Sequence, residues 1–264
     1  MQNNEKSENT IRKYIHDVQL FADYLNGEEV TKEKVIAYKE SLISGKYAVR
    51  SINSMLASLN SMLEYLELSE CKVKLIKFQR QIYRPEEKEL SKADYINLIN
   101  TAKKMGNNRL WMIIQTICGT GIRVGELKYI TVEAVRAGIA TVSLKGKMRS
   151  VFIVKELQKK LLRYAAEKEI KTGSIFVTRS GRPISRTNVW REMKTLCNEA
   201  GVESQKVFPH NLRHLFARTF YQLEKDIAKL ADILGHSSID TTRIYIATTG
   251  NEHRLRMESM HLIM

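Results

Sequence analysis

Proline is scarce in this chain: three residues in 264. With 13 glycines as the only other strong helix breakers, nothing in the composition opposes long helices. Cysteine is equally rare. Cys71, Cys118 and Cys197 are odd in number and show no CxxC spacing. That excludes a disulfide framework or a cysteine zinc site and points to a reducing cytoplasm. A long apolar run is also missing. The longest, Leu110 to Cys118, is interrupted by Gln115, and a bilayer requires about 20 residues. The opening MQNNEKSENT is polar and has no apolar stretch, so no secretory signal is expected. Acidic residues are in deficit, and no carboxylate cluster suits magnesium. The expectation is a chain without metal, cofactor or membrane contact.

What is abundant is positive charge. Lys and Arg number 43 against 29 Asp and Glu, a formal net charge of +14. Such an excess repels itself in a compact state, and a polyanionic partner, usually nucleic acid, compensates it. The charge is unevenly shared. Residues 1–85 carry 13 Lys and Arg against 11 Asp and Glu (+2), whereas the rest carries 30 against 18 (+12). The second part should make most phosphate contacts.

The first third shows helical periodicity. Ile11, Tyr14, Ile15, Val18, Phe21, Tyr24 and Leu25 form one stripe. Thr31 is placed to cap a second, with Val35, Tyr38 and Leu42. Ile52, Met55, Leu56, Leu59, Met62, Leu63 and Leu66 form a third. A small helical bundle is expected over about residues 1–70. Between Lys72 and Arg84 lie five basic residues (Lys72, Lys74, Lys77, Arg80 and Arg84) and no acidic one. This stretch reads as a DNA-contacting linker or as a solvated surface strand. Pro85 closes it, giving domains over 1–85 and 86–264. Ser91 and Asp94 then form a capping-box pattern.

The second domain is mixed. GIATVSL and SVFIV alternate as a hairpin with KGKMR at its turn, and SIFV reads as a further short strand. Helices are expected before the hairpin, from about Val154 to Lys168, and in four segments toward the C-terminus. The fold class is mainly α with a small β-hairpin.

Three motifs carry chemistry. In TGIRVGEL, Arg123 and Glu126 sit one helical turn apart, so a carboxylate can steady a guanidinium that faces a phosphate. In PHNLRH, Pro209 suits the first position of a helix, and His210 and Arg213 share a face. In LGHSSIDTTRIY, Gly235 ends a helix, Ser237 or Ser238 caps the next, His236 lies in the connection and Tyr245 follows nine residues later. Each motif alone has a bland explanation: a surface ion pair, a capped surface helix, a core tyrosine.

In order and spacing, these motifs resemble the tyrosine recombinase family, most of all Xer recombinases and phage or transposon integrases. The helical first third resembles that family's SAM-like core-binding domain. The resemblance implies a C-shaped clamp on duplex DNA and catalysis by Arg123, Lys145, His210, Arg213, His236 and Tyr245. Tyr245 would be the nucleophile and His210 its base. The two arginines would bind the phosphate, and His236 would hydrogen-bond the phosphate or support Tyr245. The hairpin lysine is placed at Lys145, with Lys147 and Arg149 as alternatives, and the latter two also as DNA contacts. Phe208 departs from the Ser or Thr common before this proline, and it is a poor N-cap.

The resemblance further implies a homotetramer on two DNA sites, in which residues 252–264 exchange between neighbours, and a cytoplasmic, nucleoid-associated protein. No room is seen for an added arm-binding domain, as in a simple Xer-like organisation or a truncated integrase. Two rivals remain: a type IB topoisomerase-like enzyme and a catalytically silent DNA-binding protein.

Overall fold

The computed structural model describes residues 7–77, 88–144, 147–246, 254, 255 and 257–260; of Leu144, Lys147 and Ile246 only the backbone is described. The chain divides into two compact units, residues 1–80 and 81–264.

Among the described residues, the first unit contains three α-helices: α1 (Glu8–Leu25), α2 (Lys32–Ser44) and α3 (Val49–Tyr65). Thr31 caps α2 as its position in the sequence predicts, accepting the Lys34 N–H. Phe21, Tyr38, Leu56, Leu59 and Leu63 bury themselves between the helices, at about 1.5–3 kcal/mol for each large side chain. The α1 stripe is narrower than its periodicity suggests. Ile15 and Tyr24 are largely exposed, and Asp17 is buried in their place. The segment after α3 is pinned by side-chain amides: Asn60 bonds both backbone groups of Val73, and Asn53 both of Ile76.

The second unit opens with α4 (Lys92–Lys104), where Ser91 and Asp94 complete the capping box. There follow α5 (Asn108–Thr120), α6 (Val132–Ala137), strands β1 (Ile139–Leu144) and β2 (Lys147–Phe152), and α7 (Lys155–Glu167). Then come α8 (Arg186–Ala200), α9 (Pro209–Glu224), α10 (Ile227–Leu234) and α11 (Ile239–Ile246). Among the described residues the fold is mainly helical with one two-stranded antiparallel sheet.

Two expectations need correction. SIFV is not a strand: Ser174 and Val177 make only single bridges, to Thr131 and Pro183. The hairpin is longer than expected. Leu144 pairs with Lys147, so Lys147, Met148 and Arg149 belong to β2. Arg149 opposes the buried Val142, and Val151 opposes the buried Ala140. Strand alternation therefore puts Arg149 on the core face, while Met148 stands exposed.

Candidate active site

α5 ends at Gly121 with φ +65°, and a Cβ there would lie 2.5 Å from the Phe216 ring. This turn delivers Arg123 in extended conformation to the start of a 3₁₀ segment, Val124–Tyr129. Glu126, 2% exposed, accepts the Arg123 backbone N–H at 2.9 Å and its guanidinium at 3.1 Å. Arg149 reaches the same carboxylate from β2 at 2.6 Å. Burial alone would raise the Glu126 pKa. The Arg123 N–H and the two guanidiniums outweigh it and hold the group below its ordinary range.

The three arginines converge on one helix end. Arg149 donates to Ile233 O at 2.9 Å, Arg213 to Leu234 O at 2.6 Å, and Arg123 to Gly235 O at 3.3 Å. These are successive carbonyls at the C-terminus of α10, which lack partners within the helix and sit at its negative pole. Arg213, 1% exposed, also donates to Gly121 O at 2.6 Å. Burial, then the neighbouring Arg123, lowers its pKa to about 10, so it stays charged at neutral pH.

Arginine has no acceptor, so the 3.0 Å contact between Arg213 and His236 Nε2 makes that nitrogen the acceptor. The proton of neutral His236 then sits on Nδ1 and is donated to Thr242 Oγ1, 2.8 Å away. Burial first, then Arg213, lowers the His236 pKa to about 4.

Tyr245 projects from α11 onto α9. Its ring, 6% exposed, stacks on His214 at 4.0 Å. Its hydroxyl lies 3.3 Å from His210 Nε2, and the Arg213 Cζ lies 5.8 Å from the ring centroid. His210, Arg213 and His214 share one face of α9, which starts at Pro209. Phe208 provides no side-chain cap there. A cavity of about 780 Å³ opens beside them, lined by Arg123, Arg186, Trp190 and His210 among others. A weak acid beside a possible base, among fixed cations, is an arrangement suited to attack on an anion.

Arg123, His210, Arg213, His236 and Tyr245 thus come together. Lys145 lies outside the described residues, as do Arg80 and Arg84. Lys72 pairs with Glu64 at 3.2 Å, and Lys74 and Lys77 are exposed. Sequence reasoning missed His214 and Thr242. The signal for both was spacing: His214 is four residues after His210, and Thr242 three before Tyr245. Among the described residues no group of His, Cys, Asp and Glu is arranged to hold a metal ion, and no helix is long and apolar enough to cross a membrane.

Comparison with known proteins identifies the family. Residues 1–70 match the phage integrase N-terminal SAM-like domain. Tyrosine recombinase XerA of Pyrococcus furiosus is 29% identical over 265 residues, spanning 98% of this chain and 90% of its own. XerH of Campylobacter jejuni is 36% identical over 158 residues, 57% of this chain and 45% of its own. A crystal structure of XerA recombinase shares 26% identity at a TM-score of 0.56, covering 100% of this chain and 95% of its own. The fold is also that of XerH in its post-cleavage complex with difH DNA, with a TM-score of 0.74, 20% identity and coverage of 96% and 79%. Residues 88–252 match the phage integrase family, and the chain belongs to that family, as a Xer-like tyrosine recombinase.

Proposed function

We propose that this tyrosine-type site-specific DNA recombinase works through Tyr245. Its hydroxyl oxygen attacks the scissile phosphorus, the bond to the 5′ oxygen breaks, and a 3′-phosphotyrosyl link forms. His210 takes the phenolic proton, and Lys145 protonates the departing 5′ oxygen. Attack by the 5′ hydroxyl of another strand reverses the step, so the bond energy is kept and no nucleotide is consumed. Integration, excision, inversion and dimer resolution all use this chemistry.

The observation that carries the reading is the Tyr245 hydroxyl 3.3 Å from His210, with Arg213 under its ring. An unperturbed tyrosine has a pKa of about 10, so an adjacent base and cations are what its activation requires. Arg123 and Arg213 are read as ligands of the nonbridging oxygens. His236 is read as a support rather than a phosphate donor, because its Nε2 already accepts from Arg213. The partner is duplex DNA, with Lys74, Lys77, Lys147 and the linker arginines Arg80 and Arg84 as further phosphate contacts.

Assembly is read as a homotetramer on two DNA sites. Within residues 252–264, Leu255, Met257 and Met260 are each 58–60% exposed. Apolar side chains left so open suit docking on a neighbouring protomer. The protein is read as cytoplasmic and nucleoid-associated.

The test uses a pool of nicked random-sequence duplexes in excess EDTA. The expected result is DNA covalently attached to protein, and sequencing the trapped DNA identifies the site. Exchange of strands between two labelled copies of that site is then expected. Absence of any adduct would leave a DNA-binding protein without catalysis. Relaxation without exchange would mark a topoisomerase.

A further inference from the structure

Arg149 stands apart from the residues that face the cavity. It comes from β2, on the core face of the hairpin, and its side chain is only 12% exposed. One nitrogen is bound to Glu126 Oε2 at 2.6 Å and the other to Ile233 O at 2.9 Å. Its Nε is buried and has no hydrogen-bond partner among the described residues. Arg123 and Arg213 line the cavity and Arg149 is not among its lining residues, and a permanently charged guanidinium is a poor general acid. A long cation in this position needs a reason other than DNA contact.

The reason lies in what its two partners do. Glu126 holds Arg123, through the other carboxylate oxygen and through the backbone N–H. Ile233 sits one residue before the carbonyl held by Arg213 and two before the one held by Arg123. It is also three residues from His236, in the turn that leads to Tyr245. We infer that Arg149 is a positioning residue for phosphoryl transfer: it ties the Glu126 carboxylate to the C-terminus of α10, and thereby fixes Arg123 relative to the helix that bears Tyr245. This rests on the reading above that Arg123 binds the scissile phosphate.

Two further observations agree. Glu126 with Arg123, Arg149 and Arg213 sums to +2, the charge that would neutralise a phosphodiester attacked by a phenolate. Without Arg149 the sum falls to +1, and Glu126 would have Arg123 alone as its close partner. The Arg123 guanidinium would then be drawn to the carboxylate and away from phosphate. Gly235 is the second observation. A Cβ there would collide with Cδ of Arg149, so the backbone of the His236 turn is shaped around this one side chain.

The experiment uses full-length protein and the duplex recovered by covalent trapping. Wild-type protein must give adduct with it; failure there would fall on the proposed reaction and not on Arg149. With that control in hand, Arg149→Ala should form adduct about 10²-fold more slowly at saturating DNA, as for a displaced catalytic group. Its affinity for DNA should be nearly unchanged. A duplex with methylphosphonate at the scissile position lacks the nonbridging charge that Arg123 must bear. On that substrate the variant and wild type should differ little. A wild-type rate for Arg149→Ala on ordinary phosphodiester would overturn the inference. So would a defect that methylphosphonate leaves undiminished, since that would signal general damage to the site.

Arg149→Lys keeps the test open should Arg149→Ala fail to fold. A lysine keeps the charge but cannot span both acceptors with one planar fork. It should be roughly 10-fold slow on phosphodiester and near wild type on methylphosphonate. Equal rates for Arg149→Lys and wild type on phosphodiester would overturn the inference.

Discussion

In the N-terminal unit the buried polar residues, among those described, are Asp17 and Ser58. They bond each other at 2.7 Å, and Lys13 neutralises the carboxylate. The second unit buries Glu126, Asn211, Arg213, His214 and Thr242, among others. Both units have apolar cores of ordinary composition. The difference is that the second adds an enclosed cluster of charge. Burying charge is costly unless every partner is in place, and the first unit keeps it to a minimum. On the proposed function, the cluster marks where chemistry, and not stability, determined the residues.

The comparison is broken most severely at Tyr245. Tyr245→Phe should abolish covalent attachment to DNA altogether. The ring still stacks on His214, and the single hydrogen bond lost to His210 costs about 0.5–1.5 kcal/mol or less. Adduct recovered from this variant would remove Tyr245 as nucleophile.

The arginines separate activity from folding. Arg123→Ala and Arg213→Ala should each slow single-turnover cleavage by about 10²–10³-fold, as for loss of a preorganised charge-stabilising donor. Their melting should differ. Removing Arg213 leaves the Gly121 and Leu234 carbonyls without their donor, at roughly 1–3 kcal/mol for each buried group. Arg123 is 33% exposed, and its loss should lower the melting temperature little. Equal melting of the two variants would contradict the burial argument.

The N-terminal unit should respond in the opposite way. Leu59 is 1% exposed, and Leu59→Ala should destabilise the unit by about 2–5 kcal/mol. Its cleavage rate at saturating DNA should hold. A parallel fall in that rate would show that the chemistry depends on the first unit's packing.

The smallest effect concerns His236. Its pKa of about 4 in the folded chain lies below the value of about 6.5 in an unfolded one. The unfolded state therefore binds the extra proton between those values. Stability from this group is full above about pH 6.5 and is lost as pH falls toward 4. Denaturant titrations across that window should show a drop for wild type that is smaller in His236→Asn. An identical pH dependence would place the proton elsewhere.

Much of this was legible in the chain. The Thr31 cap, the Ser91–Asp94 box, the Pro209 start and the Gly235 stop are local signals, and each stands where the sequence predicts it. The five polar residues of the three motifs meet as their order implied. What was not legible depends on contacts between distant segments. Asp17 interrupts an otherwise apolar stripe because Ser58 waits 41 residues away. Arg149 looks like part of a basic turn, and only the strand register turns it inward. SIFV has the composition of a strand, but its neighbours offer one bridge at each end and no ladder.

The three carbonyls of Ile233, Leu234 and Gly235 have one more consequence. Without DNA, Arg123 and Arg213, the two arginines proposed to bind phosphate, already have a tenant, the tip of α10. A visiting anion competes with it for the guanidinium N–H groups, and hydrogen bonds to charged groups are worth about 1.5–3 kcal/mol each. A free phosphate or sulfate brings no other contact to offset that loss, whereas a duplex arrives with a row of phosphates along its backbone. On the proposed function, the occupied helix end would work as an admission rule that favours the polymer over the ion.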